Sequence, residues 1–329
     1  MPRTSLCDLL RIEHPILSVG FGRTAGPELV AAVSSAGACG VLGGSNVAPE
    51  VLRERIRGVR DLTERPFGVN LLLHAPQLPQ LEVCIEERVP LLVTFWGDPA
   101  PYVARARASG ALVFHQVGSV DEARQAARAG VDAVIAQGGE AGGHVRGTVA
   151  LAALLPAVVD AIGPLPVLAA GGIADGRGIA AALALGAVGV SLGTRFVASE
   201  EAYTLREYKD RLVRSTAADT VYSEFLFDGL WPGAPHRALR NGVVREWESA
   251  GCPPSGQRPG EGTVIARVSR ADGTELEVKR YSSFMITPEI PVDIEEAPLW
   301  AGQSVELIHD VKPAGQIVRD LVREADALL

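Results

Sequence analysis

Cysteine is scarce in this 329-residue chain: Cys7, Cys39, Cys84 and Cys252 lie far apart and form no C-x-x-C pair. That spacing argues against a disulfide framework and against zinc ligation, and it predicts a reducing, cytoplasmic setting with no metal. Basic character is short too. Lys and Arg total 31 against 39 acids, a formal charge of −8, and no basic stripe runs through any segment. This balance speaks against a nucleic-acid-binding surface. No apolar run approaches the ~18 residues that a membrane helix needs. The first residues include Arg3, Asp8, Arg11 and Glu13, with no apolar stretch of the kind an export signal carries, so export is not expected. One motif is also missing: no G-x-G-x-x-G follows a strand, which argues against a separate Rossmann cofactor domain.

Glycine, by contrast, is abundant at 36 residues, in a chain that is 47% hydrophobic. Such a composition suits parallel strands packed against small-residue helices. Short apolar runs fall at 15–19, 39–42, 67–71, 90–95, 111–116, 132–136, 166–170 and 187–191. Helical patterns lie between them at 26–36, 49–61, 77–87, 99–109, 119–129, 148–161 and 175–185. Ser119 is placed to cap one helix start and Asp175 another, while Gly37, Gly110, Gly130 and Gly186 are placed to end four helices. Eight strands alternating with helices predict an α/β fold, a (β/α)8 TIM barrel. A doubly wound sheet is the rival, because periodicity does not see closure. The strand count and steady spacing favour the barrel.

Beyond residue 215 the rhythm stops, and aromatics and prolines accumulate. The expected organisation is a barrel over 1–215, a smaller accessory or lid region over 216–304, and a C-terminal helix within 305–329 that packs back on the barrel. The tract 252–262 reads as a mobile loop, and 263–268 with 275–280 as a hairpin around Ala271-Asp272-Gly273.

In a barrel, ligands bind where loops follow strand C-termini. Two glycine clusters there, Gly171-Gly172 and Gly193-Thr194, predict a phosphate held by backbone N–H groups between the last two strands. His144, after Gly142-Gly143 in the preceding loop, is the candidate base or hydrogen-bond donor. Asn70 is an amide ending an apolar strand, so it needs a partner in the protein or in a ligand. Glu140 has two readings, as a brace for this loop or His144 and as a solvated acid. His115 and Arg195 read as structural.

The segments AQGGEAGGHVRGT (136–148), AAGGIADGRGIAAALALGAVGVSLGTRF (169–196), RPFGVN (65–70) and WAGQSVELIHDVKPAGQIV (300–318) resemble the nitronate monooxygenase family, whose relatives include flavin enoyl-ACP reductases and NADH:quinone reductases. The resemblance implies FMN. Its phosphate would lie at Gly171-Gly172 and at the turn Ser191, Leu192, Gly193, Thr194. Asn70, Gln137, Gly142 and Gly143 would lie along the ribityl chain or ring, with His144 in the active site. It further implies oxidation of alkyl nitronates, or of nitroalkanes after proton loss to His144. O2 would be the electron acceptor, with a carbonyl compound and nitrite as products. Protonated His144 would then donate to the anionic nitronate. An NAD(P)H-dependent reductase of enoyl thioesters or quinones is the first alternative, and a metabolite-binding barrel without catalysis the second. A homodimer is among the expected assemblies. Phe95-Trp96-Gly97 would supply aromatic bulk beside a small or flat substrate.

Overall fold

The apolar runs become strands and the patterns between them become helices. A computed structural model describes residues 1–269 and 275–329. In chain order come α1 (Ser5–Leu10), β1 (Ile16–Ser18), α2 (Pro27–Ser35), β2 (Gly40–Gly43), α3 (Pro49–Leu62) and β3 (Phe67–Leu72). Then follow α4 (Leu78–Glu86), β4 (Leu91–Phe95), α5 (Ala100–Ala108), β5 (Leu112–Val117), α6 (Val120–Ala129) and β6 (Ala133–Gln137). A two-residue strand, β7 (Gly143–His144), precedes α7 (Leu151–Ile162), β8 (Val167–Ala170), α8 (Gly176–Ala184) and β9 (Gly189–Leu192). Local signals behave as their chemistry dictates. The Ser119 hydroxyl accepts from Glu122 N–H at 3.2 Å and the Asp175 carboxylate from Gly178 N–H at 3.1 Å. Gly37, Gly110, Gly130 and Gly186 follow their helices at φ of +87°, +83°, +83° and +96°.

Closure decides between barrel and open sheet. Eight parallel strands run in the order β1-β9-β8-β6-β5-β4-β3-β2. The two ends then meet: Ser18 N–H donates to Cys39 C=O at 3.0 Å and Cys39 N–H to Ile16 C=O at 2.9 Å. The sheet is a TIM barrel. Its interior is filled by Leu17, Val41, Leu91, Val93, Phe114, Ala133, Ile135, Leu168 and Ala170, all buried. Leu6, Cys7 and Leu10 of α1 join that cluster, with Leu6 pressed against Gly189, the first residue of β9. So α1 plugs the N-terminal end of the barrel, and the C-terminal end is left for ligands.

After β9 the chain makes a short helix, α9 (Thr194–Val197), and then α10 (Arg206–Arg214). Next come β10 (Thr220–Ser223), β11 (His236–Leu239), α11 (Gly242–Ser249), β12 (Val264–Ser269) and β13 (Glu275–Lys279). The expected hairpin strands pair antiparallel as β12 and β13; its turn at 271–273 lies outside the described residues. The chain ends in α12 (Ala314–Asp326), whose Ile317, Val318 and Leu321 are buried in the layer between strands and helices. Lying against α8 and α2, this helix fills the eighth helical place around the barrel. The span between β9 and α12 is therefore inserted in the last βα unit. Among the described residues no helix is long and apolar enough to cross a membrane.

The tract 252–262 is pinned, in place of the mobility expected of it. Arg258, 6% exposed, donates to the Leu226 carbonyl at 3.1 Å and to Asp228 Oδ1 at 2.6 Å, and its guanidinium lies 4.6 Å from the Tyr281 ring centre. Asp228 is 4% exposed. Removing one partner of a buried pair strands the other charge, which typically destabilises by about 3–5 kcal/mol. Arg258→Ala is therefore expected to lower the thermal unfolding midpoint by several degrees in differential scanning calorimetry.

Candidate active site

Strand register places a polar layer on top of the apolar barrel interior. Asn70 pairs with Val93, Gln116 with Ile135, Gln137 with Ala170, and Ser191 with both Leu17 and Ala170. Cross-strand partners share a face, so all four side chains point into the barrel at its C-terminal end. They are 7%, 8%, 4% and 4% exposed, respectively. Asn70 Nδ2 donates to Val93 C=O at 3.2 Å. Neither the Gln116 amide nor the Ser191 hydroxyl has a hydrogen-bond partner among the described residues, and neither is fully shut off from the barrel mouth, so both are free to meet a ligand there. Sequence reading singled out Asn70, Gln137 and Ser191, and placed Gln116 only among the residues that end apolar strands.

The two glycine clusters sit at the ends of β8 and β9 as expected. Gly171 and Gly172 have φ of +94° and +72°, conformations that a side chain resists. A Cβ at Gly172 would meet nothing nearer than Glu140 at 3.8 Å, and one at Gly193 nothing nearer than Val19 at 3.8 Å. The N–H groups of Gly172 and Gly193 donate to no protein acceptor among the described residues. These are open, unpaired donors, as an anion cradle requires. The Thr194 hydroxyl accepts Gly302 N–H at 3.0 Å, and its own proton stays free to donate. Leu192 faces the helix layer, so only its backbone can contribute.

The loop between them carries His144. Gln137 braces it with both ends of its amide: Nε2 donates to His144 C=O at 3.0 Å and Oε1 accepts Arg146 N–H at 3.1 Å. Of the two readings of Glu140, the brace is the observed one: both carboxylate oxygens accept Leu151 N–H at 3.0 Å, fixing the start of α7. Gly142 backs directly onto Ala301 and Gly302, whereas Gly143, at φ +71°, has open space where a Cβ would point. Across the mouth, β7 pairs with β11, setting His144 opposite His236. His236 is spoken for: it bonds the Ala234 carbonyl through Nδ1 at 2.8 Å and accepts Phe227 N–H at Nε2 at 3.0 Å. His115 is structural as well, with Nδ1 2.8 Å from the Thr94 hydroxyl. Arg195 anchors the end of β9 to Asp310 at 2.8 Å.

Aromatic rings enclose the His144 imidazole. The Trp231 ring centre is 4.2 Å away, Trp300 5.4 Å and Trp96 6.0 Å, while Ser283 Oγ lies 3.4 Å from Nε2. Trp96 holds φ at +63°. A bulky residue there is an outlier that typically costs about 1–3 kcal/mol, and such strain clusters at functional sites.

A nitronate monooxygenase family model matches residues 3–81 and 77–324. The chain belongs to the nitronate monooxygenase family. It is an oxidoreductase on that ground. It is 39% identical to a Rhodococcus jostii protein named (3aS,4S,5R,7aS)-5-hydroxy-7a-methyl-1-oxo-octahydro-1H-indene-4-carboxyl-CoA dehydrogenase, over 76% of this chain and 69% of the relative. Its fold matches FabK from Thermotoga maritima with a TM-score of 0.81 and 36% identity, covering 100% of this chain and 97% of that one. It also matches a nitroalkane oxidase from Streptomyces ansochromogenes with a TM-score of 0.78 and 28% identity, over 98% of both chains.

In this member of the family, burial first and the neighbouring His236 and His74 second push the His144 imidazole down from 6.5 to about 3. The ring is neutral near pH 7. A neutral resting imidazole can accept a proton, and the imidazolium donor expected from the sequence would form once it has done so. The sign for stability follows. An unfolded His144 binds a proton near pH 6.5 and the folded one does not until about pH 3, so its contribution is full above pH 6.5 and is lost as pH falls toward 3. His144→Asn should therefore lose less stability than the native chain between pH 6.5 and 4, measured as the shift in urea midpoint.

Proposed function

We propose that this chain is an FMN-dependent oxidoreductase acting on alkyl nitronates and their parent nitroalkanes, with His144 at the reacting carbon. The observation that carries the FMN reading is the pair of open glycine donors, Gly172 and Gly193, beside a polar layer whose Gln116 and Ser191 lack protein partners. Those groups fit a phosphate and a heteroatom-rich ring system. When bound, FMN supplies the two-electron acceptor and the route to O2; the products would be a carbonyl compound and nitrite.

The side chains supply placement and proton movement. Neutral His144 can take a proton from the carbon next to a nitro group. Gln137 fixes the His144–Arg146 backbone, so the imidazole arrives in one orientation. Trp96, Trp231 and Trp300 exclude water around it. Anaerobic mixing of the flavin-loaded protein with a preformed nitronate should bleach the yellow colour, and mixing with NADH or NADPH should not.

A second reading, reduction of an enoyl thioester with NAD(P)H, is favoured by one observation. The similarity to the carboxyl-CoA dehydrogenase and to FabK, at 39% and 36% identity, exceeds that to the nitroalkane oxidase at 28%. Rapid bleaching by NADPH in the same experiment would select it.

A further inference from the structure

Trp231 belongs to the inserted region, yet its half-buried indole lies in the barrel mouth. It stacks on His74 at 3.9 Å with planes 24° apart, and its centre is 4.2 Å from His144, the planes 33° apart. The indole is thus layered between imidazoles delivered by two different strand ends. Its T-shaped contact with Trp96, at 4.8 Å, closes a third side. His74 Nδ1 is buried there with no hydrogen-bond partner among the described residues.

We propose that Trp231 is a movable wall that sets which substrates reach His144: a flat, unsaturated group of about indole size, carrying one polar atom, takes the place of the ring. Four observations support this. The slot already holds a planar ring, so it suits a planar ligand. The orphaned His74 nitrogen would gain a partner from a polar atom on that ligand. The loop bearing Trp231 is anchored at both ends and exposed between them. Asp228 is held by Arg258, and Gly229 N–H donates to Tyr281 C=O at 3.0 Å. At the far end Ala234 is buried, with its carbonyl 2.8 Å from His236 Nδ1. Between these anchors Leu230, Pro232 and Gly233 are exposed, and nothing stands within 4 Å of where a Cβ on Gly233 would be. Finally, a base pushed down to about 3 is far from the range that serves proton transfer at neutral pH. Withdrawing the indole would relieve part of the burial that causes this.

The inference rests on His144 being the reacting group, but its first test does not require turnover. The purified flavin-loaded protein is treated with diethyl pyrocarbonate, and modification of the His144 peptide is followed by mass spectrometry. Labelling scales with the population in which the ring is uncovered, so Trp231→Ala should raise the rate about tenfold or more, with Trp231→Phe in between. Equal rates in all three proteins, each folded by circular dichroism, would overturn the proposal. FMN affinity should be unchanged by both substitutions; a loss of about tenfold or more would put the indole in cofactor space and also overturn it. In turnover, Trp231→Ala should raise the kcat/KM ratio of phenylnitromethane over nitroethane about tenfold. Faster labelling without turnover of either compound would contradict the nitroalkane reading while leaving the wall in place.

Discussion

His144→Asn should remain yellow and folded while losing roughly 10²- to 10⁴-fold in kcat/KM on a neutral nitroalkane, the usual worth of a positioned general base. The expectation follows from where the side chain sits. Its backbone is held by Gln137 and by pairing with β11, neither of which uses the imidazole, so the loop survives the change. Asparagine keeps a polar atom in the same space but cannot take a proton near neutral pH. A preformed nitronate has already lost that proton, so the variant should turn it over with a much smaller defect. Equal losses on both substrates would show that the imidazole does more than remove the proton. Undiminished turnover of the nitroalkane would remove it as the base.

The second large effect concerns the cradle. Gly172→Glu should abolish retention of FMN through purification, with affinity reduced about 100-fold or more, because a carboxylate is placed where the proposed phosphate would sit. Space alone does not explain such a loss, since the nearest atom to a Cβ there is 3.8 Å away. Backbone conformation contributes separately: at φ +72° any side chain costs about 1–2 kcal/mol. Gly172→Ala isolates that contribution and should weaken FMN by a smaller factor. Flavin content measured by absorbance after gel filtration, with equilibrium titration of the apoprotein, reads both. Native-like affinity in Gly172→Glu would place the phosphate elsewhere.

The barrel was readable because most strands are short apolar runs ended by glycine or a polar residue, and each helix between them carries its own start or stop signal. Closure was not, since the hydrogen bonds joining β1 to β2 belong to residues with no mark of adjacency. The plug α1 escaped because six residues hold too little periodicity. Strands β10 and β11 escaped for a related reason: they are four residues each, and β11 finds its partner in the two-residue β7 of a distant loop.

The same division runs through the site. The proposed cradle is legible in sequence as glycines that directly follow two strands, of which Gly171 and Gly172 take positive φ. His144 was marked by its glycine-rich loop. Of the walls only Trp96 was marked; Trp231 and Trp300 come from separate parts of the chain and meet it only in the fold. Gln137 shows the limit at a single residue. Its place at a strand end is visible in the sequence, but its bonds to His144 and Arg146 are not.

The most direct measurement is a crystal structure of the protein saturated with FMN. The phosphate should accept hydrogen bonds from the N–H groups of Gly172 and Gly193, with the His144 imidazole toward the ring and Trp231 swung aside or against a bound substrate. A phosphate bound away from the β8 and β9 ends, or a ring beyond reach of His144, would contradict the assignment.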